Sequence, residues 1–145
     1  MAIACAHHAR RFGVTPKIAL ICHSDFGSAD TPSALKMRAA LALLRERAPE
    51  LEADGEMQAD TALSLLARQR VITDCRLDGE ANVLIFPNLD AGSTALQLTR
   101  VIADALPVGP ILIGPAKPAH VLTPSVTARG IVNMTAIAAV EAASG

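Results

Sequence analysis

Three stretches gather the residue types that could bind or transform a ligand. His23-Ser24-Asp25-Phe26-Gly27-Ser28 supplies an imidazole, two hydroxyls, a carboxylate and a glycine backbone just before Thr31-Pro32. Thr31 as cap and Pro32 at the first helical position leave backbone N–H groups turned toward this loop, which suits an anion. Asn88 and Asp90 follow a second apolar run. Lys117, His120, Thr123, Ser125, Thr127 and Arg129 crowd a third, Pro-broken stretch. Lys117 and Arg129 are the cations best placed for a phosphorylated ligand; the plainer alternative is that each neutralises nearby acids. His120 could donate to a phosphate or carbonyl, or make a hydrogen bond ahead of the helix that follows. Ser24, Asp25, Asn88 and Asp90 read equally as capping residues.

Cys22 beside His23 suggests a nucleophile and its base. Neighbours on a strand point to opposite faces, so the two are not expected to pair, and Cys22 reads as a plain buried cysteine. His23, at the strand's end, fits a ligand contact better, and His7 and His8 read as solvent or interface residues. There is no G-x-G-x-x-G and no G-x-x-x-x-G-K-[ST], which argues against a dinucleotide site or a Walker phosphate loop. No spacing of His, Cys and carboxylates makes a metal site.

The elements that must hold these loops are written in the apolar runs. Residues 2–12 read as a helix ended by Gly13 and followed by Pro16, so residues 1–15 form a leading helix and linker and 16–145 the domain proper. Lys17–Cys22 is a buried strand. A helix over 33–47 carries Leu35, Ala39, Ala42 and Leu43 at helical spacing, with Lys36, Arg38, Arg45 and Glu46 on its wet side. Residues 51–56 alternate as a strand nearer a sheet edge, and Asp60 caps a helix over 61–69. Residues 74–79 make a polar connection. Asn82–Phe86 reads as the clearest central strand, with a helix after Ser93 to about Ala105. Pro110–Gly114 reads as a last strand and the organising one, leading through Pro118 and Pro124 into a small-residue helix from Ser125 or Val126 to Ala143. Strand and helix alternate, which predicts right-handed crossovers and a mostly parallel sheet. The loops 23–31, 87–93 and 114–127 should then meet at the carboxyl ends of the strands, where open α/β sheets bind ligands.

Composition narrows the class. The chain has 145 residues, 51% of them hydrophobic but only 2% aromatic, so the core is Ala, Val, Ile and Leu. A net charge of −1 without Trp or Tyr argues against DNA or RNA as a partner. No apolar run reaches a membrane span, and the basic N-terminal stretch does not read as a secretory signal. Cys5, Cys22 and Cys75 are odd in number and widely spaced, which fits reduced thiols in the cytoplasm.

The run at 23–28, Asp54-Gly55-Glu56-Met57-Gln58-Ala59-Asp60, Pro87-Asn88-Leu89-Asp90-Ala91, and the stretch from Lys117-Pro118-Ala119-His120 to Asn133-Met134 resemble the carboxyl-terminal phosphate acetyltransferase-like domain of large bacterial NADP-dependent malic enzymes. The four motifs stand in the family's order, from about Arg11 to the end. The resemblance implies a three-layer α/β/α sandwich of the isocitrate-dehydrogenase-like type, of which this chain corresponds to the second half. Active transferases of that family carry Leu-Ser-Arg-Gly after the shared Lys-Pro, and then an Asp that helps deprotonate coenzyme A. Here Thr123 and Pro124 follow Leu122, and Gly130 stands at the position of the Asp. Proline cannot hold a phosphate as arginine does, and glycine cannot act as a base.

What the resemblance implies is therefore a catalytically silent domain that binds acetyl-CoA, or a related acyl-CoA, as an effector and assembles a homo-oligomer beside a malic-enzyme catalytic region. The ligand set is His23, Ser24, Gly27, Ser28, Asn88, Asp90, Lys117, His120, Thr123, Ser125, Thr127 and Arg129, with no metal and no resident cofactor. Two rivals stay open. One is a working phosphate acyltransferase in which Thr123 replaces the serine and Asp25 or Asp90 supplies the base. The other is an assembly module whose crevice is vestigial.

Overall fold

The computed structural model describes residues Met1–Ala143. It divides into two compact units, residues 1–96 and 97–145. The first holds α1 (Ala2–Arg11), β1 (Lys17–Ile21), α2 (Pro32–Arg47), β2 (Glu52–Met57), α3 (Ala59–Leu63), α4 (Leu65–Val71) and β3 (Val83–Ile85). Helix α5 (Leu89–Ile102) runs out of the first unit, and α6 (Ala128–Ala143) belongs to the second.

The strands form a parallel sheet in the order β2-β1-β3. Because β1 is covered on both faces, its sequence is a continuous apolar run. Ile18 and Leu20 join Ala6 of α1 and Ala34, Met37, Leu41 and Leu44 of α2 in one core. Ala19 and Ile21 join Met57, Ala62 of α3, Leu77 and Ala81 in a second core. Alternation along β1 thus divides one strand between two layers of helix. Asn82–Phe86, expected as the central strand, shrinks to β3 at a sheet edge, and β1 is central instead.

Several expected boundaries and faces change. Helix α2 buries Ala34, Met37, Leu41 and Leu44, whereas Leu35 and Leu43 are each half exposed and Ala39 and Ala42 face solvent. Nearly the whole circumference of α2 is apolar, so its period alone does not choose a face; the neighbours of Arg38 and Arg45 do. One helix over 61–69 becomes two, broken at Ser64, which is extended and accepts from Ala67 N with its Oγ at 3.2 Å. Gln58, not Asp60, occupies the cap position of α3. Arg68, 1% exposed, joins these pieces by donating to the carbonyls of Thr61, Ala62, Leu77 and Gly79. Helix α5 starts four residues earlier than Ser93, because Asn88 Oδ1 accepts from Ala91 N at 2.9 Å and caps it there.

The expected last strand over 110–114 does not form, and the segment is irregular. Prolines at 107, 110 and 115 lack the N–H a ladder needs, and Gly109 and Gly114 take positive φ at 137° and 112°. The following helix begins at Ala128, two or three residues later than expected.

Candidate functional site

The loop after β1 is shaped by an irregularity in β2. Leu20 pairs with Gly55 and Ile21 with Met57, so Glu56 is passed over and bulges from the ladder. Gly55 makes this possible. Its φ is +140°, and a Cβ there would lie 2.7 Å from the carbonyl oxygen of Leu20.

Glu56 is fully buried beneath the loop. Its Oε1 accepts from Ser24 Oγ at 2.8 Å and from Gly27 N at 2.9 Å, while its backbone carbonyl accepts from Phe26 N at 2.8 Å. Oε2 faces Arg38 Nε of α2 at 3.4 Å. The same guanidinium donates through its Nη2 to Ala29 O and to Asp30 Oδ1, both at 2.6 Å. The hydrogen bond to Asp30 is the largest of the influences that raise the Arg38 pKa above its ordinary value, so the cation is permanent. One buried carboxylate and one arginine therefore strap both ends of the loop. Neither stood among the expected site residues. The available signal was the Asp-Gly-Glu break in the alternation of residues 51–56.

Each sequence-predicted residue now has a place. Ser24 is buried, and its Oγ lies 3.1 Å from Ser28 Oγ and accepts from Ala29 N at 3.1 Å. Ser28 Oγ accepts from Asp25 N at 3.0 Å. Asp25, considered as a base, accepts from Gln58 N at 2.7 Å and Gln58 Nε2 at 2.8 Å, so both its oxygens hold β2's end. Asn88 caps α5, and Asp90 is exposed in the first turn of that helix. The loops after β1 and β3 are brought to the same end of neighbouring parallel strands, and Lys36 Nζ of α2 donates to Pro87 O at 2.5 Å.

The remaining predicted residues lie in the second unit. Lys117, Thr123, Ser125, Thr127 and Arg129 are exposed. Thr123 Oγ1 lies 3.1 Å from Ser125 Oγ, and Thr127 Oγ1 accepts from Gly130 N at 3.1 Å. The side chain of His120 is 4% exposed, its Nδ1 accepts from Leu112 N at 3.3 Å and its Nε2 lies 3.4 Å from Glu141 Oε2. His120 thus ties residue 112 to α6.

Cys22 and His23 do pair, contrary to the strand argument: Cys22 Sγ is 3.4 Å from His23 Nδ1. Strand β1 ends at Ile21, and beyond it the alternation of faces no longer applies. The strap of Arg38 and Glu56 also borders a cavity of about 340 Å³, lined further by Arg45, Asp54 and Asp74. There Arg45 Nη2 donates to Asp54 Oδ1 at 2.7 Å, so its charges largely answer one another. Among the described residues no group of His, Cys, Asp and Glu could hold a metal ion, and no helix is long and apolar enough to cross a membrane.

Comparison with known proteins places the chain in a family. The model of the phosphate acetyl/butaryl transferase family matches residues 1–139. The chain is 59% identical to the NAD-dependent malic enzyme of Rhizobium meliloti over 136 residues, which is 94% of this chain and 18% of that one. It is 52% identical to the NADP-dependent malic enzyme of Escherichia coli over 138 residues, again 94% of this chain and 18% of the other. The phosphotransacetylase structure from Streptococcus pyogenes superposes with a TM-score of 0.95 at 30% identity, covering 99% of this chain and 44% of that one. The chain therefore spans less than a fifth of the malic enzymes it matches and under half of the transferase. The resemblance drawn from the four motifs holds, and the protein belongs to the phosphate acetyl/butaryl transferase family.

Proposed function

We propose that the chain is the transferase-like carboxyl-terminal region of a cytoplasmic malic enzyme, silent as a transferase, that binds acetyl-CoA or a related acyl-CoA as an effector and assembles a homo-oligomer. The single observation that carries this reading is the contrast between the two units. The loop over 24–30 is strapped in place by Glu56 and Arg38, with the Gly27 N–H and the hydroxyls of Ser24 and Ser28 held in register. In the second unit, Pro124 and Gly130 stand where the resemblance puts a phosphate-binding arginine and an acidic base, and Thr127 Oγ1 is occupied by Gly130 N.

A binding surface is retained, on this reading, while the acid–base group is gone. The wider isocitrate-dehydrogenase-like sandwich belongs to the same proposal, with the rest of the sheet supplied from outside this chain. So does the pairing with a malic-enzyme catalytic region.

The test is isothermal calorimetry with acetyl-CoA, paired with a transferase assay on acetyl phosphate and coenzyme A. Binding that weakens in Lys117→Ala and Arg129→Ala, without turnover, is the expected result. Turnover abolished by Thr123→Ala would establish a working acyltransferase instead.

A further inference from the structure

Four side chains between the end of β1 and the first turn of α2 form a closed ring. Cys22 Sγ lies 3.4 Å from His23 Nδ1, His23 Nε2 lies 3.3 Å from Thr31 Oγ1, Thr31 Oγ1 lies 3.3 Å from Ser33 Oγ, and Ser33 Oγ lies 3.6 Å from Cys22 Sγ. Nucleophile, base and a group that orients the base stand within reach of one another, which is the arrangement of an activated thiol. Thr31 Oγ1 also accepts from Ala34 N at 3.4 Å, so the cap of α2 fixes its position.

One sense of the ring has a chemical consequence. His23 Nε2–H donates to Thr31, Thr31 donates to Ser33, and Ser33 donates to the sulfur, which leaves His23 Nδ1 with a lone pair facing the Cys22 S–H. Passing the thiol proton to Nδ1 breaks none of the other three bonds. The resulting imidazolium still donates to Thr31, and the thiolate still accepts from Ser33. Cys22 belongs to the core with Ile18, Leu20 and Ala34 and is 7% exposed, while His23 beside it is exposed.

We propose that Cys22, with His23 as its base, is an acyl-accepting nucleophile toward acyl thioesters; the identity of the donor as an acyl-CoA rests on the effector reading above. The Cys22 proton moves to His23 Nδ1, the sulfur attacks the thioester carbonyl, and a new carbon–sulfur bond forms. The bond from that carbon to the donor's sulfur breaks, and the departing thiolate takes the proton back from His23. The products are S-acyl Cys22 and the free donor thiol, with no oxidant or reductant. The effector's acyl group would then be stored on the strand-end loop itself.

Incubation with acetyl-CoA followed by peptide mapping in a mass spectrometer reads acetylation at each cysteine, and release by hydroxylamine marks a thioester. The expected result is acetyl on Cys22 and not on Cys5 or Cys75, both of which burial holds as neutral thiols. The rate should fall about a hundredfold in His23→Ala, a change at an exposed position that leaves the core intact. Thr31→Val should slow it as well, and Thr31→Ser should not. Calorimetric binding of acetyl-CoA with Cys22 left free overturns the proposal and spares the effector reading. Acetylation of Cys22 by a small thioester lacking the nucleotide, with no acetyl-CoA binding, supports the nucleophile and overturns the effector reading. Equal rates with and without His23 overturn the ring's role.

Discussion

Arg38 Nε stands 3.4 Å from Glu56 Oε2, joining a partly exposed guanidinium on α2 to a carboxylate that water does not reach. The pair links the helix to the bulge of β2, and the loop over 24–30 hangs from both partners.

Removing Arg38 strands a buried charge, whereas Glu56→Gln keeps an oxygen for Ser24 and Gly27. Arg38→Ala should therefore lower the urea midpoint, and adding Glu56→Gln should restore part of the loss, because an uncharged amide no longer needs the arginine. A double variant less stable than Arg38→Ala alone would contradict this account. Amide exchange at Gly27 should quicken in both Arg38→Ala and Glu56→Ala.

Gly55→Ala should cost about 3 kcal/mol or more. The new Cβ would meet Leu20 O at 2.7 Å and Leu20 Cβ at 3.0 Å, both in the middle of the sheet, at a φ that side chains resist. Chemical denaturation gives the figure. A loss below about 1 kcal/mol would mean that β2 can shift away from β1.

Reinstating an acid at position 130 should fail on packing before it is tested on chemistry. A Cβ at Gly130 would lie 2.8 Å from Val126 Cγ2. Gly130→Asp should lower stability by about 1–3 kcal/mol, and Val126→Ala should relieve most of that. Thermal melts of the single and double variants decide it. The transferase assay on Gly130→Asp alone should stay at background.

The two partly buried thiols predict an alkaline limit. Burial raises the pKa of Cys75 above its ordinary value of 9.0 and does the same for Cys5. Folding thus favours the neutral thiol; that contribution is complete below about pH 9 and is lost as pH rises from there through the folded values. Stability measured from pH 8 upward should fall less steeply in the Cys5→Ala/Cys75→Ala double variant. An unchanged slope would place the alkaline loss in other groups.

Strands β1 and β3 were readable because burial on both faces leaves an uninterrupted apolar run that no other element writes so briefly. Helix α2 was readable as a helix, from Thr31, Pro32 and the Pro49 beyond it. Its buried face was not, because Leu35 and Leu43 keep the same period as Met37, Leu41 and Leu44, and ion pairs on the sheet's edge made the choice. The run at 110–114 has the hydrophobicity of a strand, but its prolines remove N–H groups that a ladder needs. At the site, a two-residue alternation does not reveal the role of Glu56, because the ladder skips that residue. The same alternation separates Cys22 from His23 only within a strand, and β1 ends one residue earlier at Ile21.

The skipped residue has one more consequence. Leu20 would still face position 55, and Ile21 position 57, whatever side chain stood at 56. Along a single strand, then, two duties have been separated: the flanking residues keep the sheet in step, and the odd one serves the loop above it. A chain built in this way can exchange the occupant of that one position, and with it the poise of the loop over 24–30, while the pairing of the sheet goes on unaltered.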